Sequence, residues 1–397
     1  MGEWREVKLD NLLEKITKGT TPPKGVGFVD KGINYIKSDA ISYDGRIDKE
    51  KFVQIDFVTH EKFKRSQLEK DDILFSMAGA YLGKNALVKK EMLPANTNQA
   101  LAILRLNQKF ALPQYINYYL IQPQMIDFVN NMSGQSAQPN INFQEISSIE
   151  ILLPPLKEQK AIAEVLGSLD DKIDLLHRQN KTLENLAQTL FRQWFIEGAD
   201  DGWEEYEIRD FATHKKVSIK PAKNPSDTFF HFSLPAFDTN KEPIAELGSD
   251  IKSNKYQVEP FSILMSKLNP KTPRVWDIYF DPLENSICST EFQIVQPNDK
   301  ELFPFISTLL KSDKVRGDLS MSASGTSGSH QRVKPEDIFN ISFTTPSIDK
   351  IKEFSKILEP KYLKQIKNRQ QIKTLENMRD TLLPKLMSGE VRVKYDS

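Results

Sequence analysis

At 397 residues the chain is too long for one typical domain and has enough material for two or three compact units, each with its own core. Lysine plus arginine equals aspartate plus glutamate at 54 each, which excludes the strong positive field of a non-specific DNA coat and confines any nucleic-acid binding to local patches. No 18 apolar residues run together, Met1 to Asp10 lacks an apolar core, and the one cysteine, Cys288, can form no internal disulfide; the expectation is a cytoplasmic protein with no membrane span and a buried, structural cysteine.

In chain order, the first predicted element is a short alternating strand behind an aromatic anchor, Trp4-Arg5-Glu6-Val7-Lys8-Leu9. A polar turn, Lys18-Gly19-Thr20-Thr21-Pro22, follows. Asp71-Asp72 reads as a solvated turn entering the buried strand Ile73-Leu74-Phe75-Ser76, which opens into a loop reaching Lys84. The stretch Gly134-Gln135-Ser136-Ala137-Gln138-Pro139-Asn140-Ile141-Asn142 is a polar loop before a strand ending at Pro154. After Pro154-Pro155 the positions Ile162, Leu166, Leu169, Ile173, Leu176, Asn180, Leu183, Ala187, Leu190 and Trp194 recur in alternating steps of four and three, a coiled-coil seam on one helix. From about Lys157 to Phe195 such a helix is roughly 58 Å long, longer than the roughly 35 Å of one DNA turn. Asn180 in the seam either fixes register or faces water at a splayed point.

Beyond the joint Gly198-Ala199-Asp200-Asp201-Gly202 the series repeats at a shift of 190 to 199 residues. Trp203-Glu204-Glu205-Tyr206-Glu207-Ile208 echoes the opening strand, Ser262 to Ser266 the buried strand, Ser324-Gly325-Thr326-Ser327 the polar loop, and Lys373-Thr374-Leu375-Glu376-Asn377 the helical Lys181-Thr182-Leu183-Glu184-Asn185. The expected fold is therefore α+β, two pseudo-symmetric globular domains joined and spaced by two long antiparallel coiled-coil helices. The expected boundaries are 1–155 and 198–347 for the globular domains, 156–197 for the central helix, and 348–397 for the distal helix and tail. Pro360 predicts that the distal helix starts late or kinks.

No dinucleotide-type glycine fingerprint, His-Glu-x-x-His or metal-ligand histidine spacing occurs, and Gly79 to Asn85 misses the phosphate-loop pattern by one residue and a hydroxyl. Nothing marks an enzyme. The polar loops instead suit DNA: Gln135, Ser136, Gln138, Asn140 and Asn142 carry amides and a hydroxyl able to pair with base edges, and Thr326, Ser327, Ser329, His330, Gln331 and Arg332 hold the same place in the second half. The alternative is a surface turn that caps its own backbone. Lys267, Asn269, Lys271 and Arg274, with Ser76 and Lys84 in the first half, form loops whose cations either neutralise phosphates or keep the loop soluble. Lys18, Thr20 and Thr21, with Lys215 and Lys216, are weaker backbone-holding candidates.

Pro154-Pro155-Leu156-x-Glu158-Gln159-x-x-Ile162-Ala163-x-x-Leu166 and the ending Leu382-Leu383-Pro384-Lys385-Leu386-Met387-Ser388-Gly389-Glu390-Val391 resemble the two helix motifs of Type I restriction-modification specificity subunits, a resemblance that covers nearly the whole chain. It implies two target recognition domains, each reading one half of a split site in double-stranded DNA, and helices that set the gap and dock two methylation subunits, which restriction subunits join. It also implies that this chain binds no cofactor itself: S-adenosylmethionine belongs to the methylation subunits, ATP and magnesium to the restriction subunits. The second polar loop lacks the Gln-Pro-Asn-Ile-Asn run of the first. Two rival readings stand beside it, a coiled-coil scaffold that never touches DNA and a self-contained DNA-modifying enzyme.

Overall fold

The computed structural model describes residues 3–23, 27–79, 82–132, 139–239, 241–322 and 332–394. Its residue contacts divide the chain into two units, one of Met1–Asp174 with Ile372–Ser397, the other of Leu175–Gln371.

Strands β1 (Arg5–Lys8), β2 (Leu13–Lys18), β3 (Ile33–Ile36), β4 (Val53–Ile55), β5 (Ile73–Ser76), β6 (Asn85–Leu87), β7 (Ala95–Thr97), β8 (Leu101–Leu106) and β9 (Glu150–Leu153) belong to the first unit. Its helices are α1 (Phe57–Lys62), α2 (Pro113–Leu120), α3 (Pro123–Met132), α4 (Phe143–Ser147) and the first part of α5 (Leu156–Arg192). β5 and β8 are apolar almost throughout because both their faces are covered, and they lie at the centre of a sheet in the order β2-β8-β5-β6. A second sheet runs β4-β3-β7, and β1 pairs antiparallel with β9, Val7 opposite Ile151. Gly19 is required where β2 ends: a Cβ there would stand 2.0 Å from the Asn98 carbonyl oxygen.

In the second unit the strands are β10 (Glu204–Glu207), β11 (Ala212–Lys215), β12 (Ser218–Ile219), β13 (Thr228–Phe232), β14 (Ile244–Leu247), β15 (Lys255–Gln257), β16 (Ser262–Ser266), β17 (Val275–Ile278), β18 (Ser286–Cys288), β19 (Phe292–Pro297) and β20 (Ser342–Thr345). Helices α6 (Ile208–Phe211), α7 (Leu234–Thr239), α8 (Phe303–Leu310), α9 (Asp313–Ser322), α10 (Pro335–Phe339) and most of α11 (Ile348–Met387) complete it. The order β11-β19-β16-β17 reproduces β2-β8-β5-β6 strand for strand, and β10 pairs with β20 as β1 does with β9. The sequence repeat is thus a structural one. The outer sheets differ: β12-β15-β18-β13-β14 has two strands more than its first-unit counterpart.

Both long helices contribute to both cores. In the first unit Ile162 and Leu166 of α5 and Leu383, Leu386 and Met387 of α11 join Leu9, Phe75, Leu104, Tyr115 and Ile151. In the second, Phe191 of α5 and Ile351, Phe354 and Leu358 of α11 surround Phe303, Phe305 and Val295, and Phe195 meets Phe305 and Phe354 edge-to-face, with ring centroids 4.9 and 5.1 Å away. Each such buried side chain contributes roughly 1.5–3 kcal/mol. Within the second unit the two helices run antiparallel: Glu184 meets Lys361, and four residues earlier Asn180 meets Gln365 and Asn368. Asn180 fixes register, since its side-chain oxygen accepts from Asn368 Nδ2 at 2.9 Å and its carbonyl from Gln365 Nε2 at 3.1 Å.

The two helix motifs meet in the first unit. Glu158 is fully buried, accepts from Arg392 Nη2 at 2.7 Å and Trp4 Nε1 at 3.2 Å, and so ties the start of α5 to the segment that follows α11 and to the residue ahead of β1. Gln159 Oε1 accepts from the Leu112 N–H at 2.7 Å while its Nε2 donates to the Pro154 carbonyl at 2.8 Å.

Two expectations need correction. α11 begins at Ile348 and continues through Pro360, because Pro360 lies on the exposed face, where water can satisfy the carbonyl of Lys356, while Phe354, Leu358 and Tyr362 anchor the buried face on either side of it. Asp72 is no solvated turn residue: it is fully buried and accepts from Arg105 Nε at 2.8 Å and Nη2 at 2.9 Å, and from the Glu69 N–H at 2.7 Å. The turn is Glu69–Asp72, closed by the Asp72 N–H donating to the Glu69 carbonyl at 3.3 Å, and within it Asp71 takes φ of +70°. Cys288 is fully buried as expected, and burial pushes its thiol up to about 12.

Candidate nucleic-acid interface

In the first unit the chain leaving β5 is captured by three backbone bonds. Met77 N–H donates to the Ala100 carbonyl and Met77 carbonyl accepts from the Ile141 N–H, each at 2.9 Å, while Gly79 N–H donates to the Pro139 carbonyl at 2.9 Å. The loop after β5 and the end of the polar loop are therefore held edge to edge, Ala78 bridging Asn140. An open cavity of about 520 Å³ results, lined by Lys18, Met77, Ala78, Gln99, Ala100, Asn140, Ile141, Asn142 and Phe143. Lys18, Gln99, Asn140 and Asn142 are exposed at its rim.

The second unit repeats the construction after β16. Lys267 N–H donates to the Glu291 carbonyl at 2.8 Å, its carbonyl accepts from Val333 N–H at 2.9 Å, and Leu268 bridges Arg332. The equivalences follow from the bonds: Lys267 stands where Met77 does, Glu291 where Ala100 does, Arg332 where Asn140 does. Lys267 Nζ donates to the Thr290 carbonyl at 2.6 Å and lies 5.8 Å from the Tyr256 ring, with Lys216 Nζ 6.0 Å from the same ring. Arg332 Nη2 donates to Glu291 Oε1 at 3.1 Å with more than half its side chain exposed. Burial first, then Lys267 and Lys216, hold the His214 imidazole below its ordinary pKa. Lys267 is likewise lowered, by burial, with Lys216 and Arg332 adding to the effect against Glu291. One frame thus carries neutral amides and one lysine in the first unit, and a cluster of cations with one carboxylate in the second.

Of the residues singled out in the sequence, Gln135, Ser136, Gln138, Thr326, Ser327, Ser329, His330 and Gln331 lie outside the described residues. Lys18, Asn140 and Asn142 come together at the first cavity, and Lys216, Lys267 and Arg332 in the second unit. Asn142 also caps α4: its oxygen accepts from Glu145 N–H at 3.0 Å and Glu145 Oε2 accepts from Asn142 N–H at 2.7 Å. Thr20 Oγ1 accepts from Arg65 Nη2 at 3.3 Å, and Thr21 Oγ1 from Gln99 N–H at 3.4 Å. Lys215 ends β11, 3.8 Å from Glu259. Asn269 takes φ of +56° in the turn before exposed Lys271.

Three residues are committed elsewhere. Ser76 is fully buried within β5. Lys84 places Nζ 4.6 Å over the Tyr43 ring and does not line the cavity. Arg274 is held by Asp238 through two bonds of 2.6 and 2.9 Å. Gln99 and Glu291 escaped sequence reasoning because a lone polar residue in a turn before a strand carries no spacing signal, and Arg65 because a short 3-10 helix, Lys64–Ser66, carries no periodic pattern. Among the described residues no cluster of three or more His, Cys, Asp or Glu could hold a metal ion, and no helix is long and apolar enough to cross a membrane.

Residues 1–185 match the family described as Type I restriction modification DNA specificity domain. The chain is 25% identical over 342 residues to the Type I restriction enzyme MjaIX specificity subunit of Methanocaldococcus jannaschii, covering 79% of this chain and 76% of that protein. It is 26% identical over 205 residues to the EcoBI specificity subunit of Escherichia coli, 49% of this chain and 41% of that one. In fold it is similar to the crystal structure of the Type I restriction-modification S subunit of M. genitalium, with a TM-score of 0.57 at 15% identity, over 99% of this chain and 97% of that one.

Proposed function

We infer that this chain is a Type I restriction-modification specificity subunit, the DNA-reading, non-catalytic member of such a complex, each unit reading one half of a two-part target; the specificity-domain family matched by residues 1–185 and the likeness to the MjaIX specificity subunit support the reading. The observation that carries the reading is the pair of equivalent loop frames with different chemistry. A single frame repeated in one chain holds Lys18, Gln99 and Asn140 in one copy and Lys216, Lys267 and Arg332 in the other. Two like scaffolds with unlike side chains suit two half-sites of unlike sequence. Side-chain amides pair with the N6 and N7 of adenine, and arginine with the O6 and N7 of guanine, whereas lysines neutralise phosphates without reading sequence.

Neutral overall charge fits this division of labour. With 54 cations against 54 anions the chain has no general hold on DNA, so affinity arises at the frames and from partners. The partners we propose are two methylation subunits docked on the helices, then restriction subunits. S-adenosylmethionine belongs to the former, ATP and magnesium to the latter, and none to this chain. α5 and α11, of 37 and 40 residues, serve as the spacer that sets the gap.

The test is selection of duplexes from a randomised pool by the complex of this chain with its methylation subunit. A split motif should be enriched, and Arg332→Ala should relax one half only. A coiled-coil scaffold would enrich nothing; methylation of DNA by the chain alone with S-adenosylmethionine would make it an enzyme.

A further inference from the structure

The five-residue motif repeated in the two long helices, Lys181 to Asn185 and Lys373 to Asn377, places a glutamate at the same position in each copy, Glu184 and Glu376. Neither glutamate belongs to the seam, and within its own unit each reaches a cation outside its own helix. Glu184 Oε1 accepts from Lys311 Nζ at 2.9 Å, and Oε2 lies 2.8 Å from Lys361 Nζ on α11. Lys311 closes α8 and also pairs with Asp277 on β17, whose Oδ1 accepts from Ser307 Oγ at 2.7 Å. Burial works to raise the Glu184 carboxyl, but Lys311 and Lys361 overcome it and hold the group far below the usual carboxylate range. In the first unit Glu376 Oε1 accepts from Arg46 Nη2 at 3.2 Å, and Arg46 Nε donates to Asp44 Oδ2 at 2.6 Å on the same turn. Arg379, one helical turn from Glu376, donates to Asp170 Oδ1 at 3.1 Å, and Tyr118 Oη of α2 donates to Asp170 Oδ2 at 2.6 Å.

Apolar packing of a sheet-and-helix body on a helix pair is non-directional and tolerates sliding and rotation. Charged hydrogen bonds with fixed partners do not, because a shift of one residue leaves a carboxylate or an ammonium buried and unpaired. We infer that Glu184 and Glu376 are positioning residues that fix the orientation of each reading body on its helices, and so determine how strictly the gap between half-sites is enforced. The two clasps differ in exposure. Lys361 is 5% exposed in its side chain, whereas Arg46 is 34% exposed, so the first-unit clasp is the more open to salt. The inference rests on the proposed reading of a split target.

The experiment co-expresses the full chain, its Glu376→Gln, Arg46→Gln and Glu184→Gln variants, and the Glu376→Gln/Arg46→Gln double variant, with the methylation subunit. Methylated sites are then sorted by gap length. Each variant should keep both half-sites while methylation at gaps one base pair longer or shorter rises about tenfold over wild type. The Glu376/Arg46 double variant should loosen the gap no more than either single one, because both remove the same pair. A lowered melting temperature with an unchanged gap distribution, or altered half-site bases, overturns the inference. A wild-type complex with no split motif at all overturns the reading beneath it, and the inference with it.

Discussion

Arg332 and Lys216 separate base reading from phosphate holding within one frame. Arg332→Ala removes a pair with Glu291 at 3.1 Å whose arginine is more than half exposed, so its contribution to stability is about 1 kcal/mol or less. If the guanidinium reads a base, its loss costs about 1–3 kcal/mol at one position of one half-site, roughly 5- to 150-fold in discrimination there and little elsewhere. Lys216 is exposed beside the Tyr256 ring and offers one positive charge without a planar fork. Lys216→Ala should weaken every duplex alike and lower the slope of log affinity against log salt by about 0.9, which is about 3.5-fold between 50 and 200 mM salt. Fluorescence anisotropy of the complex, run on the cognate duplex and on single-base variants at four salt concentrations, measures both. Equal weakening of all duplexes by Arg332→Ala, with a slope change like that of Lys216→Ala, would refute its role as a reader.

Three other outcomes follow from the packing. Phe354→Ala removes a ring that touches Phe191, Phe195 and Phe305, and should destabilise the second unit by about 3–5 kcal/mol in urea unfolding followed by intrinsic fluorescence; a loss under 1 kcal/mol would contradict the packing described. Seven residues inserted in α5 after Asp174, with seven in α11 after Gln371, add roughly 10.5 Å to the pair and should lengthen the gap by about three base pairs with half-sites unchanged; methylation mapping reads this, and an unaltered gap removes the spacer role. The insertion avoids 181–190, where Glu184 and Ala187 pack within the second unit. Cys288, with its thiol raised to about 12, should resist alkylation in the folded chain at pH 9 and react on unfolding, as mass spectrometry would show. The sign is that of an acid raised by folding: this stability is present below the ordinary thiol pKa and is lost as pH rises through 12, so rapid labelling at pH 9 would contradict the burial.

The duplicated architecture was legible because it rests on periodic apolar positions and on ordered blocks, and both survive translation into strands and helices. The seam from Ile162 to Trp194 is buried or half-buried at every position. Legibility failed where a long-range partner decides. Asp72 reads as a turn residue until Arg105, 33 positions away, is placed against it. Pro360 reads as a late start or a kink until Phe354, Leu358 and Tyr362 bury the face that carries the helix past it. Lys18, Asn140 and Asn142 were recognisable as polar loop residues, but their meeting with Gln99 depends on the bonds from Met77 to Ala100 and Ile141. Ser76 and Arg274 matched the expected chemistry by type, yet one is inside the sheet and the other held by Asp238.

The most direct test of the central claim is to express this chain with its methylation subunit in a host free of DNA methylation and map modified bases across the genome. A two-part motif with one fixed gap is the predicted result. A stable complex that leaves the genome unmodified, or that methylates a continuous motif, would contradict the reading of a split site by two equivalent frames.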